Sequence, residues 1–327
     1  MLDTSTPATE ISARPAAKPP KGTAPAQRGR GRRRNSLARR REFRAGLAMS
    51  TPAILLLTFF LVIPVLLAFG LSFTNARLIS PNAPRLVGFD NFLRAFEDPV
   101  FLQSLWNTFA FALVIVPVQS ALGLLLAVLV NQRIRGVFLF RVIYFIPVVT
   151  SIVVVSILWK LMYSEDGLIN SFINTVTFGA WNGVDWLGEQ STAMPAIIVL
   201  SIWQAVGFHM VIWLSGLQTI PGELYEAARV DGASTWRQFT NVTWPGLRPT
   251  MIFVLITITI DALRLFVQVD VMTQGGPIDA TTTLVYHAVR AGYRQQEVGY
   301  GATISLIFFV LVLIIALVQR WLTREKD

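Results

Sequence analysis

Residues 221–245 read Pro-Gly-Glu-Leu-Tyr-Glu-Ala-Ala-Arg-Val-Asp-Gly-Ala-Ser-Thr-Trp-Arg-Gln-Phe-Thr-Asn-Val-Thr-Trp-Pro, and a long apolar run stands on either side, Pro195–Leu217 before and Thr250–Val271 after. The quoted stretch is polar enough for water, yet it is patterned like folded structure. Pro221 suits a helix start, and Glu223 to Val230 are mostly good helix formers. Asp231-Gly232 provides a break where glycine can take positive φ, and Ser234 can cap a second helix. In that helix Trp236, Phe239 and Val242 recur every three residues as one apolar face, while Pro245 and Pro249 end it and lead into the next run. Two short helices that present an exposed apolar stripe want a partner.

Outward from this stretch, the flanking runs are two of about six. The others are Pro52–Phe73, Leu105–Val130, Leu139–Met162 and Tyr300–Trp321, each near the roughly 20 residues that a helix needs to cross a hydrocarbon core. With 53% hydrophobic and 14% charged residues, an ordinary soluble domain is excluded. Pro64, Pro117 and Pro147 fall inside these runs, where neighbouring spans can satisfy the carbonyls they free. The expectation is an all-α membrane protein with about six transmembrane helices over residues 45–325, preceded by a disordered basic tail at 1–44. The run from Pro52 is too long for a signal-peptide core and lacks a small-residue cleavage site, so removal is not expected.

Basic residues set the expected direction, because short cytoplasmic loops retain Lys and Arg. The net charge of +9 could suggest nucleic acid, but twelve of the 28 basic residues lie between Arg14 and Arg44, ahead of the first apolar run, which points to the membrane and no nucleic acid. On the same side fall Arg133, Arg135 and Arg141, then Arg229, Arg237 and Arg248, then Arg320, Arg324 and Lys326. The other side holds only Arg77, Arg85, Arg94, Arg290 and Arg294. Both termini and the 221–249 loop are therefore expected in the cytoplasm. The connection 163–192 carries Glu165, Asp166, Asp185 and Glu189 without Lys or Arg, as an exported loop should, and its Trp181 and Trp186, with Trp159 nearby, suit interfacial lipid anchoring.

Much chemistry is absent. No glycine-rich loop ends in Gly-Lys-Ser or Gly-Lys-Thr, so the chain has no phosphate cradle of its own and energy must come from a partner or an ion gradient. No cysteine is present, and neither His209 nor His287 has a partner at metal-ligand spacing. No nucleophile and base set is visible, so an enzyme is not expected.

The quoted stretch, in its place between the fourth and fifth spans, resembles the cytoplasmic coupling loop of ABC-importer permeases, specifically the carbohydrate branch typified by the maltose system's larger permease. Glu226, Ala227, Ala228, Asp231, Gly232 and Ala233 match the pattern E-A-A-x-x-D-G-A in register, and Phe239 and Pro245 follow at the usual spacing. Further matches are Val87–Phe92, Trp106–Thr108, Gly167–Asn170 and Met272–Pro277, so the resemblance covers roughly Ala45 to Arg324. It implies a type I importer permease fold in a bacterial plasma membrane and a coupling helix seated in a groove on a soluble ATPase. Glu226 would meet a basic residue there, and Trp236 and Phe239 would belong to the same contact. It also implies a second permease, usually a different one, two ATPase subunits that bind ATP and magnesium, and an extracytoplasmic solute-binding protein. This chain itself would hold no cofactor.

Asp261, Arg264, Gln268 and Asp270 are expensive in lipid, and the first three, at i, i+3 and i+7, fall near one face of a helix, where Asp261 and Arg264 can pair. They either line a water-filled path and bind sugar hydroxyls, or glue helices together. The family's sites draw on spans four and five, which adds Trp203, Gln204 and His209. Many members carry Asp after the phenylalanine and Tyr before Val-Met-Thr, whereas this chain has Val267 and Asp270, so the solute is open. Arg290 and Arg294 either help dock the binding protein or are simply solvated. The rival reading is a secondary transporter or channel with Asp261 and Arg264 as an ion relay.

Overall fold

The computed structural model describes residues 45–132 and 136–322, so the basic tail 1–44 and Arg133, Arg135, Arg324 and Lys326 lie outside the described residues. The chain divides into two units at Ile63/Pro64. The described part of the first unit is helix throughout and every residue of it is exposed. It opens the helix α1, Ala45–Ser72, which contains a π turn at Thr58–Val62.

In the second unit α2 (Asp90–Glu97) leads into the long α3 (Pro99–Val130), and α4 (Val137–Val149), α5 (Ile152–Met162) and α6 (Leu168–Val176) follow. Then come α7 (Gln190–Gln218), α8 (Gly222–Val230), α9 (Thr235–Gln238), α10 (Arg248–Leu263), α11 (Val267–Met272), α12 (Leu284–Val289) and α13 (Val298–Leu322). The only β contact among the described residues is a single bridge, Thr74 to Leu86. Five stretches are long and apolar enough to cross a bilayer unaided, and a sixth is the pair α4 and α5.

Here the structure departs from the expected Leu139–Met162 span, because α4 and α5 meet at 97°. Pro147 has no N–H to give the last turn of α4, and Thr150 and Ser151 are extended (ψ 141° and 126°). Pro117, by contrast, sits inside unbroken α3. The expected Thr250–Val271 span is also interrupted, at Arg264–Phe266. Thr283 Oγ1 donates to the Leu265 carbonyl (2.7 Å), and Phe266 leaves helical geometry (φ −139°). A tertiary hydrogen bond holds this break open, and local sequence does not announce it.

Side-chain pairings give the directions. Tyr163 Oη donates to Ala196 O (3.0 Å) while Gly207 lies against the Tyr144 carbonyl, so the α4–α5 stretch runs against α7. A side chain at Gly207 would overlap that carbonyl, which is why the crossing requires glycine. Gly123 lies beside His209 and Trp213, whereas Phe111 shares a cavity with Ser201, so α3 runs with α7. Leu124 and Val128 share a groove with Met251 and Leu255, while Phe111 and Ile115 share that cavity with Ala262 and Leu265, so α10 runs against α3. Alternation puts the end of α3 and the start of α4 at one end with connection 219–247, and connections 163–189 and 264–283 at the other. The core between them is built on Trp213, Met210, Leu200, Ile197, Ile258 and Val254, all nearly inaccessible.

At the end opposite 219–247, three asparagines organise the loops. Asn91 donates to the Ser72 and Thr74 carbonyls, and Asn107 to those of Asp279 and Thr282. Asn170 donates to Ser164, Glu165 and Val184 carbonyls and accepts from the Trp181 and Trp186 Nε1 groups, both at 3.0 Å. Trp181 and Trp186 are therefore half-buried and stacked on each other rather than free lipid anchors, and Trp159 packs on Tyr163 and Trp203.

Candidate functional site

Two regions gather the residues singled out by the sequence. The first is the 222–246 connection. α8 ends in a two-bond cap in which Gly232 N–H donates to Arg229 O (3.1 Å) and Ala233 N–H to Ala228 O (2.9 Å). Gly232 sits at φ +73°, a conformation glycine reaches without strain. Ser234 then caps α9 by accepting from the Arg237 N–H (3.4 Å). Tyr225 and Thr243 hydroxyls meet at 3.0 Å, and Gln238 Nε2 donates to Ala233 O (2.9 Å), so the two helices form one rigid knob.

Glu226, Ala227, Asp231 and Gly232 are exposed, Ala228 and Ala233 half-buried. Glu226 makes no hydrogen bond or ion pair among the described residues. The apolar stripe is divided. Trp236 remains 71% exposed, but Phe239 stacks on it (ring centroids 5.7 Å apart) and, with Trp244, walls an apolar groove of about 470 Å³ against α3, Trp213, Met251 and Leu255. The prolines also behave differently from expectation. α9 continues through a π turn, Phe239–Thr243, into Trp244–Gly246, and Pro245 and Pro249 occupy first turns, where a missing N–H matters little.

The second region is a cavity of about 140 Å³ between α3, α7 and the α10–α11 break. Gln204, His209, Asp261 and Gln268 line it, together with Gln119 and Ser201. Trp203 and Arg264 do not: Trp203 faces Trp159 (5.4 Å), and Arg264 caps the exposed end of α10. Because the helix breaks at Arg264, the i, i+3, i+7 face does not exist, and Asp261 and Arg264 form no ion pair among the described residues. His209 is 1% exposed; Nδ1 lies 3.0 Å from the Ala205 carbonyl, and Nε2 has no hydrogen-bond partner among the described residues. Gln119 was missed, although an amide in the middle of the Leu105–Val130 run is as anomalous as those in span five.

At the opposite end, Arg290 is half-buried and Arg294 exposed, and each has an acidic partner. Arg290 pairs with Asp279 (2.7 Å) and Arg294 with Asp270. His287, 2% exposed, lies 3.5 Å from Asp98 Oδ2 and 3.5 Å from Arg290 Nη2. Burial, helped by the Arg290 charge, holds the His287 pKa below its usual range, and Asp98 only partly opposes this. Burial alone would raise the Asp98 carboxyl, but hydrogen bonds from Tyr300 (2.7 Å) and the Val100 N–H, and nearby His287, hold it lower.

Comparison with known proteins agrees with this architecture. Residues 119–326 match the family described as binding-protein-dependent transport system inner membrane component. The trehalose/maltose transport system permease protein MalF of Thermococcus litoralis is 36% identical over 287 residues, 88% of this chain and 96% of that one. The lactose transport system permease protein LacF of Rhizobium radiobacter is 34% identical over 279 residues, 84% of this chain and 92% of that one. A chain in the crystal structure of a bacterial ABC transporter that imports the acidic polysaccharide alginate superposes with TM-score 0.77 at 23% identity, covering 90% of this chain and 99% of that one, a likeness of fold. The chain belongs to the binding-protein-dependent inner-membrane components, the multi-pass permeases of ABC importers.

Proposed function

We propose that this chain forms half of the path of an importer that carries a sugar or related polar solute into a bacterial cytoplasm by alternating access. The other half is a second, different permease. Two separate ATPase subunits bind ATP and magnesium and engage the 222–246 knob through Glu226 and the Ala227–Ala233 cap, and a solute-binding protein delivers cargo to the opposite end. Both termini lie in the cytoplasm. The names of the relatives, trehalose/maltose and lactose permeases, support a sugar.

One observation carries the reading: the two helices that hold the knob also wall the cavity. α7 ends at the knob and lines the cavity with Ser201, Gln204 and His209, while α10 begins at the knob and lines it with Asp261. A push on the knob therefore tilts two walls of the path, and closure of two ATPases can be converted into a change of access. The test is uptake by the complete assembly in sealed vesicles. The proposal expects uptake only with ATP on the knob side and no effect of ionophores. Uptake without ATP that collapses with an ionophore would favour a secondary transporter instead.

A further inference from the structure

The cavity wall has a composition that the importer reading leaves unused. Six polar side chains converge on it, Gln119, Ser201, Gln204, His209, Asp261 and Gln268, and no lysine or arginine lines it. The three glutamine amides make no hydrogen bond among the described residues, although Gln119 is only 4% exposed. Ser201 is already committed to its own helix, donating to Ile197 O (2.8 Å). With Nδ1–H donating to the Ala205 carbonyl, His209 is left with Nε2 as a buried acceptor that has no partner. A buried polar atom without a partner is costly and rare, which marks His209 Nε2 as a group kept for a ligand, with the uncommitted glutamine amides beside it. They supply neutral donors and acceptors in both senses, as hydroxyls require. What they lack is a cation to receive a carboxylate or sulfonate, and the one carboxylate present, Asp261, repels it. Two basic groups of the neighbouring helices are spent or off the wall: Lys160 Nζ lies 3.5 Å from the Val271 carbonyl at the end of α11, and Arg264 is exposed and not among the lining residues.

We infer that this wall is a charge filter that passes uncharged, hydroxyl-rich solutes and turns away acidic sugars, with Asp261 supplying the repulsion and Gln119, Gln204 and His209 the hydrogen bonds. The inference rests on the reading that the cavity lies on the path. A field from one carboxylate focused by low-dielectric walls changes the local concentration of a charged species by about tenfold or more.

This chain has no native cysteine, so with partner subunits made cysteine-free a single introduced thiol reports on the filter. A single cysteine is introduced as Gln204→Cys, or as Gln268→Cys should the first variant fail to assemble, in the complete transporter in membrane vesicles. Its rates with trimethylammonium-ethyl and sulfonato-ethyl methanethiosulfonate are compared with those of 2-mercaptoethanol in solution. The expected cation-to-anion rate ratio is about tenfold above the solution ratio, falling back to it when Asp261→Asn is added. A ratio equal to that in solution, or one indifferent to Asp261→Asn, overturns the filter while leaving the path in place. No reaction with either reagent, with and without ATP, puts the cavity off the aqueous path and removes both readings.

Discussion

Asn170 holds six polar groups at once, three carbonyls, two indole N–H groups and the Val184 N–H. Truncation to alanine leaves them without partners at about 1–3 kcal/mol for each one that water cannot reach. Asn170→Ala should therefore lower the thermal midpoint of the purified protein by several degrees, with Asn170→Asp intermediate because it can still accept from Trp181 and Trp186. Equal midpoints for Ala and wild type would remove the hub. His287 gives a pH dependence of known sign. Its folded pKa lies below the ordinary 6.5, so the unfolded chain binds the extra proton between the two values. The stability this residue contributes is complete above pH 6.5 and falls as pH drops from there toward the folded value. The midpoint should be lower at pH 5.5 than at 7.5, and His287→Gln should flatten that difference; an unchanged slope in the variant would assign the effect elsewhere. None of these partners is visible in sequence, because Asn170 and Trp186, or His287 and Asp98, are brought together only by the fold.

Elements were legible where local rules decide them and illegible where tertiary contacts do. α8, its glycine break and the Ser234 cap follow from helix formers, a residue tolerant of positive φ and a side-chain acceptor, and the structure has all three. The breaks at Thr150–Ser151 and Arg264–Phe266 do not follow from hydropathy, which reads straight across both. Thr283, eighteen residues away from Leu265, holds the second break. Thr283→Val should cost about 1–2 kcal/mol from the orphaned Leu265 carbonyl and lower the midpoint accordingly. Should the variant melt with the wild type, the hydrogen bond is not what keeps α10 and α11 apart. The crossing of α7 and α4 is stricter. Gly207→Leu drives a side chain into the Tyr144 carbonyl, so the full-length chain should lose stable assembly in the membrane, read as loss of a monodisperse peak on extraction. A normal peak would mean that the crossing has room the structure does not show.

For the molecule as a whole, the spans, their alternation and the knob were readable from apolar runs and turn chemistry. The cavity was readable only in part. Gln204, His209, Asp261 and Gln268 stood out as polar residues in apolar runs and do meet, but the helical spacing that grouped Arg264 with Asp261 and Gln268 fails at a break. Arg264, at that break, is off the wall, and Gln119 from α3 is on it. The proposed coupling is mechanical: an ATPase would push on the 222–246 knob. Because this chain has no native cysteine, a single Ala227→Cys on the exposed face of α8 can be cross-linked, in a transporter whose other subunits are made cysteine-free, with a short thiol-to-amine reagent, alongside Phe172→Cys on α6 at the opposite end. A covalent product with the ATPase subunit is expected from Ala227→Cys and none from Phe172→Cys. An ATPase product from Phe172→Cys, or none from Ala227→Cys in an assembly that hydrolyses ATP, would contradict the proposed coupling.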